Sequence, residues 1–115
     1  MWHNPKDKPG YYNGKHYSSY VGEIESLKKK GAIGEAERLL LELVNATEAE
    51  AKADNSGVAP WYYEELAKIY RRRKDYQKEV AILERYANQK HAPGVKPAQL
   101  LKRLAKAKEL LAFHS

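Results

Sequence analysis

Along most of the chain the apolar positions recur at helical rather than strand spacing. Tyr20, Ile24 and Leu27 stand at i, i+4 and i+7 in a stretch that begins at Tyr17, which is one stripe of a first helix. Lys28, Lys29 and Lys30 close it with charge suited to the carbonyl end of the helix dipole, and Gly31 accepts the left-handed cap that stops it. A second helix opens around Ile33, Gly34 and Glu35 and gathers Ala36, Leu39, Leu40, Leu43, Val44 and Thr47 on one face. The alanine-rich run after Thr47 keeps helix propensity high until Asn55, Ser56 and Gly57 end it.

Pro60 suits the first turn of a third helix, where its missing N–H is not needed. Tyr63, Leu66, Ala67 and Tyr70 are its packing stripe, and Arg71, Arg72, Arg73 and Lys74 repeat the basic ending of the first helix. Asp75 is an N-cap for a fourth helix that buries Tyr76, Val80, Leu83, Tyr86 and Ala87. Glu79 lies on that packing side, and the cost of burying a charge predicts that it tilts outward. Residues 91–97 form a loop stiffened by two prolines, with Pro97 near the first turn of a fifth helix. That helix is expected to bury Leu100, Leu101, Leu104, Ala105 and Leu111 and to leave Lys102, Arg103, Lys106 and Lys108 outside.

Residues 1–16 lack periodicity and hold two prolines, two glycines and two asparagines, which predicts an extended arm with a turn at Asn13-Gly14. Its aromatics Trp2, Tyr11 and Tyr12 are expected to lie, at least in part, against the first helices. No window alternates with period two, so the expectation is an all-α chain.

The helices repeat. Lys28-Lys29-Lys30-Gly31-Ala32-Ile33 aligns with Arg71-Arg72-Arg73-Lys74-Asp75-Tyr76 at an offset of 43 residues, so a basic-ended helix, a tight turn and a second helix occur twice. Tyr63, Leu66, Ala67 and Tyr70, followed by Lys74-Asp75-Tyr76, resemble the tetratricopeptide-repeat family. Gly31, Ala36 and Leu40 match its turn glycine, small residue and large apolar residue in the first unit. Ile24 and Glu79 stand where that family has small residues. The offset exceeds its usual repeat of about 34 residues because the second helix is long. The resemblance covers residues 17–113 and implies two antiparallel helical hairpins closed by a C-terminal capping helix. It also implies that the first helix of each hairpin lines a concave face where partners bind.

Composition narrows the chemistry. With 43% hydrophobic and 31% charged residues the chain reads as one soluble globular unit, and no run of about 18 apolar residues would span a membrane. Cysteine is absent, which excludes disulfides and thiol nucleophiles, and the first ten residues have no signal-peptide character, so a cytoplasmic setting is expected. His3, His16, His91 and His114 are not spaced as helical metal pairs, and no Gly-rich phosphate cradle occurs. Neither a catalytic constellation nor a cofactor or metal site is expected. Glu23, Glu25, Glu35, Glu37 and Glu42 read as a solvated face.

The net charge of +6 is uneven: residues 18–57 carry −3, residues 58–96 carry +4 and residues 97–115 carry +3. Opposite the third helix's packing stripe stand Glu64, Lys68, Arg71 and Arg72, and the first helix offers Val21, Glu25, Lys28 and Lys29 at the same spacing. Side by side, the two helices would converge Lys28, Lys29, Lys68, Arg71 and Arg72 on one groove with Trp61 and Tyr62 at its mouth. Arginine forks grip carboxylates and aromatic rings add apolar area, so the expected partner is an acidic peptide or acidic protein surface, bound by a non-catalytic adaptor. The same cations with Trp61 and Tyr62 stacking on bases would instead suit nucleic acid, and as helix-end charges they would simply satisfy dipoles. The long second helix offers a surface for pairing with its copy in a homodimer.

Overall fold

The computed structural model describes residues 7–114, so Trp2 and His3 of the expected arm lie outside the described residues. The rest of the arm corrects the expectation that no strand forms. Tyr11–Tyr12 (β1) and Lys15–His16 (β2) pair antiparallel, Tyr11 opposite His16 and Tyr12 opposite Lys15. Asn13 and Gly14 make the two-residue turn with φ of 49° and 82°, the left-handed pair whose twist matches a hairpin. The Asp7 carboxylate accepts both of their N–H groups, at 3.1 and 3.0 Å. Two residues per strand are too few to print a period-two pattern on a sequence. What holds the hairpin is tertiary: Glu50 accepts from His16 Nε2 at 2.7 Å and from the Tyr17 hydroxyl at 3.1 Å, and the Tyr20 hydroxyl donates to the Tyr12 carbonyl. His16 also caps the 3-10 turn over Tyr17–Tyr20, its Nδ1 accepting from the Ser18 N–H and standing 2.8 Å from Ser18 Oγ.

Five α-helices follow: α1 (Val21–Lys29), α2 (Ile33–Asp54), α3 (Pro60–Arg72), α4 (Tyr76–Ala87) and α5 (Lys96–His114). Each packs on the next in the chain, and α3 also touches α5. The all-α class follows from the 3.6-residue spacing. Helix α3 is the centre of the stack: Tyr63, Leu66 and Ala67 are fully buried, and Tyr62, Ile69 and Tyr70 nearly so. Ile24, Leu40, Leu43, Val44, Leu83, Tyr86 and Leu100 close the core around it.

The two basic-ended turns are the same structure. Ala32 N–H bonds to the Leu27 carbonyl and Gly31 N–H to that of Lys28; 43 residues on, Asp75 N–H bonds to Tyr70 and Lys74 N–H to Arg71, all within 2.9–3.1 Å. Both are Schellman caps, with Gly31 at φ 78° and Lys74 at φ 58°. Elsewhere, Val58 bridges His91 in parallel and its N–H donates to the Lys90 carbonyl at 3.0 Å, stitching the α2–α3 connection to the α4–α5 loop. Here Gly57 is obligatory for space, since a Cβ would stand 2.1 Å from the Ala92 nitrogen. His91 stacks on Tyr86 with ring centroids 4.3 Å apart and its Nε2 lies 2.8 Å from the Tyr86 carbonyl.

The buried stripe of α5 is narrower than expected. Leu100, Leu104 and Ala107 are buried, but Leu101 is 44% exposed and Ala105 is exposed too. Helix α5 packs on one side, so the residues at i, i+4 and i+7 are buried and Leu111, at i+11, is half-buried against the core.

Candidate binding face

The cations singled out above sit over carboxylates. Lys28 on α1 is bonded to Glu65 on α3, and Lys68 on α3 reaches the other oxygen of the same carboxylate at 3.5 Å. The Arg71 Nε–H is shared between both oxygens of Glu79, at 2.7 and 2.8 Å, while Arg103 on α5 stands 3.6 Å from that group. Lys96 donates to Glu64 at 2.8 and 3.1 Å, a further tie between α5 and α3. The chain thereby brings α1, α3 and α5 onto one surface, with carboxylates as the floor and cations as the rim.

Exposure shows how the roles divide. The Glu65 and Glu79 side chains are 5% and 0% exposed, whereas those of Lys28, Lys68, Arg71 and Arg103 are 33%, 51%, 31% and 27% exposed. Glu79 therefore does not tilt outward. It is buried at the first turn of α4, where the helix dipole and two guanidinium groups offset the loss of water. The hydrogen bond to Glu65 raises the Lys28 ammonium above its ordinary pKa, against the lowering effect of burial.

Four cations face Glu25, Glu65 and Glu79 in this network, because Lys28 also pairs with Glu25 at 3.3 Å; one positive charge is left in surplus. Lys29 and Arg72 are exposed and make no ion pair with a described residue, which adds two more. Of the expected groove residues, Lys28, Lys68 and Arg71 are thus brought together but committed to carboxylates, and Lys29 and Arg72 remain open. Tyr62 is a correction: it is 4% exposed, packed edge-on to Tyr17 at 5.3 Å, and does not stand at a groove mouth. Trp61 is half-buried against it at 5.0 Å. The Tyr62 hydroxyl donates to the Tyr17 carbonyl at 3.3 Å, so its ring is turned toward the Tyr17 segment.

Sequence reasoning placed Glu64 in this row but missed Glu65, Lys96 and Arg103 as members of the surface. Their only local signal is the i, i+3 spacing of Glu65 and Lys68; the rest are cross-helix pairs. It also misjudged Glu37, which accepts from Arg73 at 2.6 Å and Tyr70 at 2.8 Å and is not part of a solvated face. Burial pushes the Glu37 carboxyl up, but those two hydrogen bonds outweigh it and hold the group below the usual range. On the other side of the stack the Arg85 fork grips Glu48 with two bonds of 2.8 Å, and Tyr63 donates to the same carboxylate at 2.7 Å.

Among the described residues no three His, Asp or Glu side chains come together as a metal site, and no helix is long and apolar enough to cross a membrane. Comparison with protein-family models, curated proteins and solved structures finds no match.

Proposed function

We propose that this chain is a non-catalytic, tetratricopeptide-like interaction module, cytoplasmic in setting, whose α1–α3–α5 face takes an acidic peptide or acidic protein surface. The observation that carries the reading is the pairing of cations from three separate helices over shared buried carboxylates. Such a floor holds the rim cations in fixed positions, so an incoming carboxylate meets ordered donors rather than flexible side chains. The surplus charge of the strip, extended by Lys29 and Arg72, sets the sign of the partner. The duplicated Schellman turn at a 43-residue offset supports the repeat character of the stack.

The test is fluorescence anisotropy with a labelled poly-glutamate peptide and, in parallel, a random single-stranded oligonucleotide. Lys29→Glu combined with Arg72→Glu changes the open rim and leaves the Lys28–Glu65, Lys68–Glu65 and Arg71–Glu79 pairs intact. Loss of peptide binding with unchanged helical circular dichroism is the expected result; unchanged affinity refutes the face. Nucleic acid is the weaker reading, since the burial of Tyr62 leaves Trp61 alone as a stacking platform. Tight oligonucleotide binding with a steep salt dependence would favour it.

A further inference from the structure

We propose that the chain associates with copies of itself head to tail, the outer face of α5 in one copy docking on the depression bounded by the β-hairpin, α1 and α2 of the next. The two faces lie at opposite ends of the stack, because α1 and α2 begin it and α5 packs chiefly on α4, and on α3, at its other end. The depression measures about 780 Å³, and its apolar lining comes from Tyr12, Tyr20, Leu27, Leu39 and Leu41. Glu23, Glu35 and Glu42 surround that lining with Arg38 among them, and the Lys15 ammonium lies 4.4 Å from the centre of the Tyr20 ring, so carboxylates outnumber cations three to two. The face of α5 has the opposite design. Leu101 is 44% exposed and Phe113 82% exposed, twelve residues apart on the same helix, Phe113 meeting the His114 ring edge-on at 5.0 Å. Lys102 stands between them on the exposed side with no ion pair to a described residue, and exposed Lys106 near it has Glu109 at 3.6 Å, whereas Lys96, Arg103 and Lys108 face Glu64, Glu79 and Glu84 on α3 and α4.

Charge complementarity selects the occupant. Placing α5 on a second α5 sets cation against cation, and placing one depression on another sets carboxylate against carboxylate, so neither face suits a two-fold contact. Cationic apolar helix on acidic apolar depression satisfies both, and an isolated apolar side chain as exposed as Phe113 gains area by burial there. A contact between two different faces does not close on itself after one copy, so it propagates into a string or a ring.

Light scattering coupled to size-exclusion chromatography on the full chain, across a concentration series, tests this. Mass should climb past that of a dimer as concentration rises and fall back as salt screens the contact. Lys102→Glu with Lys106→Glu should abolish assembly, as should Glu35→Lys with Glu42→Lys, each variant keeping its helical circular dichroism. An equimolar mixture of the two reversed variants should assemble again, since every α5 then meets a rim of opposite sign. A chain that stays monomeric throughout, assembly that stops at a dimer, or assembly indifferent to the charge reversals overturns the proposal. Assembly seen only after residues 1–6 are removed also overturns it, because the depression is then occupied by the chain's own N-terminal segment.

Discussion

Glu79 has no route to water, and its partners do. That asymmetry gives a sharp expectation for the pair it forms with Arg71. Removing one partner of a buried ion pair costs about 3–5 kcal/mol, because the other charge is left without compensation. In Arg71→Ala the carboxylate loses both short bonds and keeps only Arg103 at 3.6 Å. Since the Arg71 side chain is 31% exposed and Arg103 persists, the cost is discounted to about 2–4 kcal/mol. Glu79→Met should behave differently: the site receives an apolar side chain of similar volume, and both guanidinium groups turn to solvent. Buried pairs replaced by apolar groups are often neutral, so the expected change is about 1 kcal/mol or less in either direction. The double variant Arg71→Ala with Glu79→Met should then sit near Glu79→Met alone, giving a large coupling energy in the cycle. Urea unfolding followed by far-ultraviolet circular dichroism at neutral pH reads all four free energies with one slope. If Arg71→Ala costs under about half a kcal/mol, or Glu79→Met costs as much as Arg71→Ala, the pair is not what compensates the buried charge.

Lys74 occupies the left-handed cap position that glycine holds in the first turn, so Lys74→Gly should stabilise by about 0.5–1 kcal/mol and Gly31→Lys should destabilise by a similar amount, both read by thermal unfolding. Gly57→Ala drives a Cβ into the backbone of His91 and Ala92, and should cost about 2 kcal/mol or more by urea unfolding, while Gly14→Ala, with open space around it, costs only its left-handed φ. Burial pushes the Tyr62 hydroxyl up to about 12, and burial followed by hydrogen bonds to Glu48 and Glu37 raises Tyr63 and Tyr70. A raised folded-state pKa means stability that is fully present below the unfolded value, about 10 for tyrosine, and lost as pH climbs through the folded values. Tyrosinate absorbance from these rings should therefore appear together with the loss of helical signal; tyrosinate formed in a chain that stays helical refutes their burial.

The helices were legible because each is a local pattern. The stripe Tyr63, Leu66, Ala67 and Tyr70, the caps at Gly31 and Asp75 and the proline at the start of α3 are statements about neighbours within a few residues, and the backbone obeys them wherever the chain goes. Leu101 and Ala105 were misplaced because local spacing tells which residues share a stripe but not how wide a neighbour will cover. The hairpin escaped because two residues per strand print no period, and its fixing points, Glu50 and Tyr20, lie in other elements. The same limit governs the site: the row Lys68, Arg71 and Arg72 could be drawn on a helical wheel, whereas the pairing of Lys28 with Glu65 and of Arg103 with Glu79 depends on how three helices lie beside one another. Burial decided the rest. The same Glu79 that single-sequence cost arguments send to solvent is held inside because two cations from different helices reach it, and Tyr62 is hidden because the Tyr17 segment packs over its ring. Periodicity is a property of the chain. Which charges are shielded from water, and by whom, is a property of the packed whole.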